Sequence, residues 1–428
     1  MSKFEWPDGF LWGSATAAHQ VEGGNVNNWS VWELQTAAEN ARLAPERLQN
    51  LRSWPDIKNI ATQPENYVSG KTVDHLRRYK EDFDLVEKLG MNAFRFSVEW
   101  SRIQPQEGSW DVDAVEYYRE YFRELRIRGI EPVMTLFHWS VPTWFADKGG
   151  FEKRSNIRYF TEYAEHLLRA LSDEVKYIVT INEPDTVALL GYWTCDHPPG
   201  KKSLPKLAAV YFNLLAAHKK VYKIAKKMNK NFNVGFVKTY AYVAPADNRI
   251  SSILMTRLDY LLRDDIPLAY LGGQTDFLGV NYYFTDTYDG WKRKAPDAPT
   301  TDLGWPVLPE NLEPILKRVA KAGKPLMVTE TGVADKKDIY RKAWLQKTVI
   351  SVRNALEAGV DIRGYLYWSL TDNFEWAFGR WPAFGLIDID YEHDLKRTIR
   401  PSAVYYAKII ASARAVSRGK FTRKKRTE

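Results

Sequence analysis

Two glutamates in this sequence stand where an acid is out of place. Glu183 ends the run Tyr177–Glu183 and Glu330 ends Pro325–Glu330, and both runs are otherwise apolar and β-prone. A carboxylate in such a position pays a desolvation cost unless neighbours support it. Each alone reads first as an ion-pair partner on a rim. As a pair they are the set that cleavage of a glycosidic bond needs: one acid to protonate the leaving oxygen, and one carboxylate to attack or stabilise the oxocarbenium-like carbon.

Other polar and aromatic residues close other runs in the same way. Gln20 follows the first run after His19, Glu99-Trp100 closes the second, and His138-Trp139 closes the third. Asn182 precedes Glu183, Asn281-Tyr282-Tyr283 ends the sixth run, and Trp368 lies in the eighth. Singly, each has a plainer reading. His138 fits a core histidine, Arg95 a structural ion pair, and Tyr283, Trp368 and Trp376 fit packing aromatics. Glu375 is harder to set aside, because a carboxylate between Phe374 and Trp376 needs a polar partner. No HExxH is present, and Gly200-Lys201-Lys202-Ser203 lacks the P-loop spacing, so neither a metal nor a cofactor is expected.

The elements that must carry these residues follow from periodicity. Short apolar, β-prone runs occur at Phe10–Thr16, Ala93–Trp100, Pro132–Trp139, Tyr177–Glu183, Val234–Tyr240, Phe277–Tyr283, Pro325–Glu330 and Ile362–Leu370. Segments with apolar residues three and four apart separate them; HLRRYKEDFDLVEKLG, VEYYREYFRELRIRG, YFTEYAEHLLRALS and NLLAAHKKVYKIAKKM are the clearest. The first two end in Gly, a usual helix stop. Eight such repeats predict an α/β fold, a single-domain (β/α)8 TIM barrel whose strand ends converge on one rim. A doubly wound sheet is the competitor, but no GxGxxG follows any strand. Stretches 35–71, 191–205 and 286–309 read as loop insertions.

Composition sets outer limits. Of 428 residues, 45% are hydrophobic and 27% charged, which excludes wholesale disorder. Net charge is +8, but residues 417–428 hold six cations against one acid, so the rest is nearly balanced and gives no case for a nucleic-acid partner. The expected division is a catalytic domain over 1–416 and a basic, flexible tail over 417–428. Cys195 is the lone cysteine, which rules out a disulfide framework and fits a reducing compartment. The opening MSKFEWPDGFLWGS has no apolar signal region, and no apolar run is long enough to cross a membrane, so a cytoplasmic protein is expected. Sixteen Trp among 14% aromatic residues exceed what a core needs, and surplus Trp often lines sites that stack sugars.

Seven segments, in order, carry a resemblance. FLWGSATAAHQVEGG, FRFSVEWSRIQP, TLFHWSVPTWF, TINEPDTVALLGY, FLGVNYY, VTETGVAD and YWSLTDNFEWAFG resemble the signatures of glycoside hydrolase family 1, the β-glucosidase type. The match runs from about Phe10 to Tyr406. It implies a retaining β-glycosidase acting on terminal β-D-glucosyl units, with β-D-galactosyl and β-D-fucosyl units left open as alternatives. Glu183 resembles the acid/base and Glu330 the nucleophile. Arg95, Asn182 and Tyr283 look like their supports, with Arg95 and Tyr283 keeping Glu330 ionised. Gln20, His138, Trp139, Asn182 and Glu375 look like sugar-binding groups, Trp368 like the platform beneath the sugar, and Trp376 like a further indole donor. The implied partners are small or oligosaccharide β-glycosides, with no nucleic acid and no membrane.

The chain departs from the family pattern at His19, Ser140 and Thr331, where Tyr, Asp and Asn are common. The phospho-glycosidase branch is disfavoured because Glu375 is acidic, and the myrosinase branch because Glu183 is intact. Two rival readings remain: a catalytically silent carbohydrate-binding barrel, and nucleic-acid binding through Arg423, Lys424, Lys425 and Arg426.

Overall fold

The structure, a computed structural model, describes residues 4–424. All eight expected runs are strands: β1 (Leu11–Ala15), β2 (Ala93–Ser97), β3 (Glu131–Thr135), β4 (Tyr177–Asn182), β5 (Asn233–Thr239), β6 (Phe277–Tyr282), β7 (Leu326–Thr331) and β8 (Ile362–Trp368). They close into one parallel barrel in sequence order, with β1 hydrogen-bonded to both β2 and β8. Leu11 pairs with Gly364 and Ala15 with Trp368, so the last strand completes the first.

Each strand is followed by a helix on the outside: α1 (His75–Lys88), α2 (Val112–Ile127), α3 (Ile157–Ala170), α4 (Leu204–Met228), α5 (Ile250–Tyr260), α6 (Leu312–Val319), α7 (Arg341–Glu357) and α8 (Pro401–Lys424). Local chemistry sets their limits. Asp111 caps α2 by accepting from the Ala114 N–H at 2.9 Å, satisfying one of the free amides of the first turn. Gly90 and Gly129, just past α1 and α2, take the left-handed conformation that a helix stop favours, with φ of 74° and 67°. The inner face of α3 (Ile157, Phe160, Tyr163, Ala164, Leu167, Leu168) is wholly buried, as its three-and-four spacing predicts.

Inside the barrel, one apolar layer takes a single side chain from every strand: Leu11, Ala93, Val133, Val179, Val237, Phe277, Met327 and Leu366. Above it the inward positions turn polar, beginning with Arg95, Thr135 and Thr329, all buried. The apolar floor fixes the strands, and the polar storey over it faces the rim.

Two expectations change. The stretch 35–71 is not a loop: it carries most of a helix over Asn28–Leu48 and another over Trp54–Ala61. Its buried face is mainly alanine (Ala37, Ala41, Ala44), too weak an apolar signal to read as a period. The boundary expected at residue 417 falls inside α8, and 425–428 of the basic tail lie outside the described residues. Among the described residues no helix is long and apolar enough to cross a membrane.

Candidate active site

Both glutamates line one cavity at the C-terminal mouth of the barrel, with His138, Trp139, Tyr283, Trp368, Glu375 and Trp376 around them. Gln20, Arg95 and Asn182 complete the predicted set by bonding to these walls. The structure therefore brings every sequence-predicted site residue to one place.

Strict alternation along a strand would send one of two adjacent residues outward. Two irregularities prevent it. The β4–β5 register shifts between Val179 and Asn182, and Glu183 then adopts a left-handed φ of 47°. The β6–β7 register shifts between Val328 and Glu330. Bulges of this kind re-aim side chains. Thus Asn182 and Glu183 both point into the site, as do Thr329 and Glu330. Trp139 and Trp376 also hold positive φ angles, 73° and 51°, so three of the strained non-glycine residues of the chain line this one cavity.

The two carboxylates have unlike surroundings. Glu330 is bonded by the Arg95 guanidinium and accepts from the Tyr283 hydroxyl at 2.7 Å. Arg95 is itself held by Thr135 (3.1 Å) and by the Asn182 carbonyl oxygen (2.8 Å). Glu183 has no cation beside it; Asn281 Nδ2 donates to it at 2.5 Å, and Thr239 bonds it from the end of β5. The Asn281 amide is steered by Thr329, whose hydroxyl donates to its oxygen at 2.7 Å, and its nitrogen also donates to Asn182 Oδ1 at 3.2 Å.

Burial pushes the Glu183 carboxyl up to about 7, and the negative charge of Glu330 adds to the rise. For Glu330 the sequence reading anticipated an ion held by Arg95 and Tyr283. Arg95 and Tyr283 do pull the Glu330 carboxyl toward its charged form, and burial raises it against them. With a guanidinium beside Glu330 only, the surroundings favour the charged form at Glu330 and the protonated form at Glu183. His138 is held well below its usual range by burial and by Arg95, so it is a neutral imidazole.

Another wall of the cavity has unspent hydrogen-bonding capacity. Gln20 Nε2 donates to the Phe374 carbonyl at 2.8 Å and to Glu375 at 3.2 Å, leaving its own carbonyl oxygen buried without a partner. His138 Nε2 meets Asn182 Nδ2 at 3.1 Å, and its Nδ1 is likewise unpartnered. Burial pushes Glu375 up to about 8, against the pull of Asn373. At neutral pH it therefore carries a proton and repels an anion less than its sequence position suggested. Trp139 donates its indole N–H to the Asn182 backbone at 3.2 Å, and His138 stacks on Trp368 with centroids 5.7 Å apart.

Sequence reasoning placed Asn281 at the end of the sixth run without giving it a role, and it missed Thr239. Asn281 is two residues before Tyr283 and so on the same strand face, which is the signal that could have given it one. The end of the fifth run, where Thr239 sits, offered no charge to attract notice. The three departures from the family pattern point away from the cavity. His19 bonds Glu33 at 2.6 Å, Ser140 bonds Glu99 at 2.7 Å, and Thr331 accepts from the Trp344 indole at 3.1 Å.

Comparison with known proteins places the geometry in context. The family model for Glycosyl hydrolase family 1 matches residues 2–262 and 262–415. Beta-glucosidase A of Thermotoga maritima is 30% identical over 460 aligned residues, covering 96% of this chain and 98% of that protein. A beta-glycosidase from Pyrococcus horikoshii superposes with a TM-score of 0.84 at 33% identity, covering 96% of each chain. The Thermotoga maritima beta-glucosidase in complex with glucoimidazole gives 0.85 at 28% identity, covering 96% of this chain and all of that one.

Proposed function

We propose, from the premise that the chain belongs to glycosyl hydrolase family 1 and hydrolyses O-glycosyl bonds, that it is a retaining β-glycosidase removing terminal, non-reducing β-D-glucosyl units. One observation carries the retaining reading. Both carboxyl groups line one cavity and are tied by one hydrogen-bond chain: Arg95 bonds Glu330 and donates to Asn182 Oδ1, which also accepts from Asn281 Nδ2 at 3.2 Å, and that same amide donates to Glu183 at 2.5 Å. Retaining enzymes hold their pair about 5–5.5 Å apart, whereas inverting ones leave about 6.5–9.5 Å for a water.

In the first step Glu330 attacks the anomeric carbon, the bond to the leaving oxygen breaks, and Glu183 gives that oxygen its proton. Arg95 and Tyr283 aim the attacking carboxylate. Forming the ester removes the negative charge of Glu330, so Glu183, now ionised, faces no repelling carboxylate and its affinity for a proton falls. Water then enters, gives a proton to Glu183 and its oxygen to the anomeric carbon, and releases Glu330. Asn182 can meet the sugar's 2-hydroxyl, a contact that strengthens as positive charge grows on the ring. Gln20, His138 and Glu375 offer the free acceptor and donor sites that hydroxyls of a neutral sugar require, with Trp368 beneath and Trp139 and Trp376 beside it.

The decisive experiment is azide rescue of Glu183→Ala on a nitrophenyl β-glucoside. General acid catalysis supplies about 10²–10⁴ in rate, so the loss should be large for poor leaving groups and smaller for nitrophenol. The rescued product should be the β-glycosyl azide; the α-product, or undiminished activity on an alkyl glucoside, overturns the assignment. A panel of nitrophenyl β-glucoside, β-galactoside and β-fucoside ranks the sugars. The lone thiol of Cys195 supports a reducing, cytoplasmic setting.

A further inference from the structure

Helix α5 continues through a π-helical turn, Leu261–Asp265, into the helix Ile266–Leu271, which buries Pro267 and Leu271; α5 itself has polar residues at its fully buried positions. Its inward residues on α5 are Ser252, Thr256 and Asp259. All three are satisfied there: Ser252 donates to Asp247 at 2.7 Å, Thr256 to the Ser252 carbonyl at 2.9 Å, and Asp259 accepts from the Tyr288 hydroxyl at 2.9 Å. Its outward residues are Ile250, Leu254, Leu258, Leu261, Leu262 and Ile266, each between 38 and 83% exposed. Their spacing of three and four makes a continuous stripe about 24 Å long at 1.5 Å per residue. Surface helices put apolar residues toward the protein and polar ones toward water. On α5 the fully buried positions are polar and the most exposed ones are largely apolar.

We propose that this stripe is the contact between two copies of the chain, packed antiparallel about a two-fold axis at Leu261. The charges flanking the stripe select this occupant. Arg257 is exposed and, among the described residues, has no ion-pair partner; Asp265 is 53% exposed and shares one oxygen with Arg318 at 2.7 Å. Each stands four residues from Leu261, on opposite sides. A two-fold axis there sets Arg257 of one copy against Asp265 of the other, twice over, with Leu261 meeting its own counterpart between them. A self-complementary patch of this kind is what an isologous dimer requires. The six side chains expose an area on the order of 500 Å², at the top of what a monomer leaves open. Phe212, exposed on α4 beside Tyr270 with ring centroids 5.6 Å apart, widens the patch toward the roughly 800 Å² per partner of a stable interface. A lipid surface would select cations around the stripe, and the presence of Asp265 as well as Arg257 argues against it.

Sedimentation equilibrium of the full chain at micromolar concentration tests this. The expected mass is twice 49.5 kDa. The variant L258D/L261D should fall to the single-chain mass while its far-ultraviolet circular dichroism and its turnover of a nitrophenyl β-glucoside stay within twofold. In a Cys195→Ser background, Leu261→Cys should oxidise to a linked dimer and Ile250→Cys should not, because only residue 261 meets itself at the axis. A single-chain mass for the unaltered protein at every concentration overturns the proposal. So does a dimer that survives L258D/L261D, linkage through Ile250→Cys alone, or a monomer that floats with phosphatidylcholine–phosphatidylglycerol vesicles.

Discussion

Replacing Glu330 with Gln removes, of the three glutamates lining the cavity, the one that a guanidinium bonds, and two readouts should change together. Hydrolysis should fall by about 10⁴-fold or more, as when one member of a cooperating catalytic set is lost. The Glu183 carboxyl should titrate below its present value of about 7, because part of its rise comes from the Glu330 charge; carbon-13 NMR of the carboxyl measures it. In the unaltered protein Glu183 must be protonated to act as the acid, so kcat/KM should decline as pH rises through about 7. Glu375 gives a stability prediction of the same sign. Its folded value of about 8 lies above an ordinary glutamate's 4.5, so the folded protein holds a proton that the unfolded chain releases, and stability falls as pH climbs from about 4.5 to 8. Glu375→Gln should therefore raise Tm relative to the parent at pH 8 and much less at pH 5. The gain is a few kcal/mol at most, since the carboxyl is partly open to the cavity, and binding of the sugar should weaken. The residues legible in the sequence were those whose charge is costly on an apolar strand. The roles of Asn281 and Thr239 were not, because an amide or hydroxyl at a strand end breaks no rule until its partner is seen.

The short helix Pro184–Leu189 begins at Glu183 and is anchored to β5 by a buried ion pair that the sequence did not suggest. Lys238, fully buried, donates to Asp185 at 2.9 Å and to the Thr239 carbonyl at 2.7 Å, and lies 3.1 Å from Asp264. Lys238→Met should leave Asp185 without its cation and Asp264 with Arg318 alone, at a cost of about 3–5 kcal/mol in urea unfolding. Because the charge of Asp185 already pushes Glu183 up, the alkaline limb of the pH–rate profile should move to higher pH in any variant that folds. A purely structural role for Lys238 would lower stability and leave that limb in place. Lysine on a buried strand reads as an exception in sequence; its reason is the aspartate two residues after Glu183, 53 positions away in the chain. The helices of 28–61 were illegible for the opposite reason. Alanine faces pack closely and bury too little apolar area to stand out against loop composition.

At the scale of the molecule, the barrel was legible because parallel strands buried on both faces are nearly continuous apolar runs, and eight of them leave few other topologies. The outward leucines of α5 were not, since an apolar stripe on a helix says nothing about which side it faces until the helix is docked. Closure of the barrel depends on contacts between its first and last strands. The Tyr406 hydroxyl on α8 donates to the carbonyls of Gly13 on β1 (3.0 Å) and Tyr365 on β8 (3.3 Å), clasping that seam. Tyr406→Phe should cost about 1–2 kcal/mol in urea unfolding with hydrolysis unchanged. The same seam has a consequence during synthesis. Leu11 and its partner Gly364 are separated by almost the whole coding length, and ribosomes add about 5–20 residues per second. One edge of the opening strand thus waits roughly 20–70 s for its mate, with its backbone amides and carbonyls bare to any passing nascent chain. Yield in a cell then depends on what shields that edge while translation finishes.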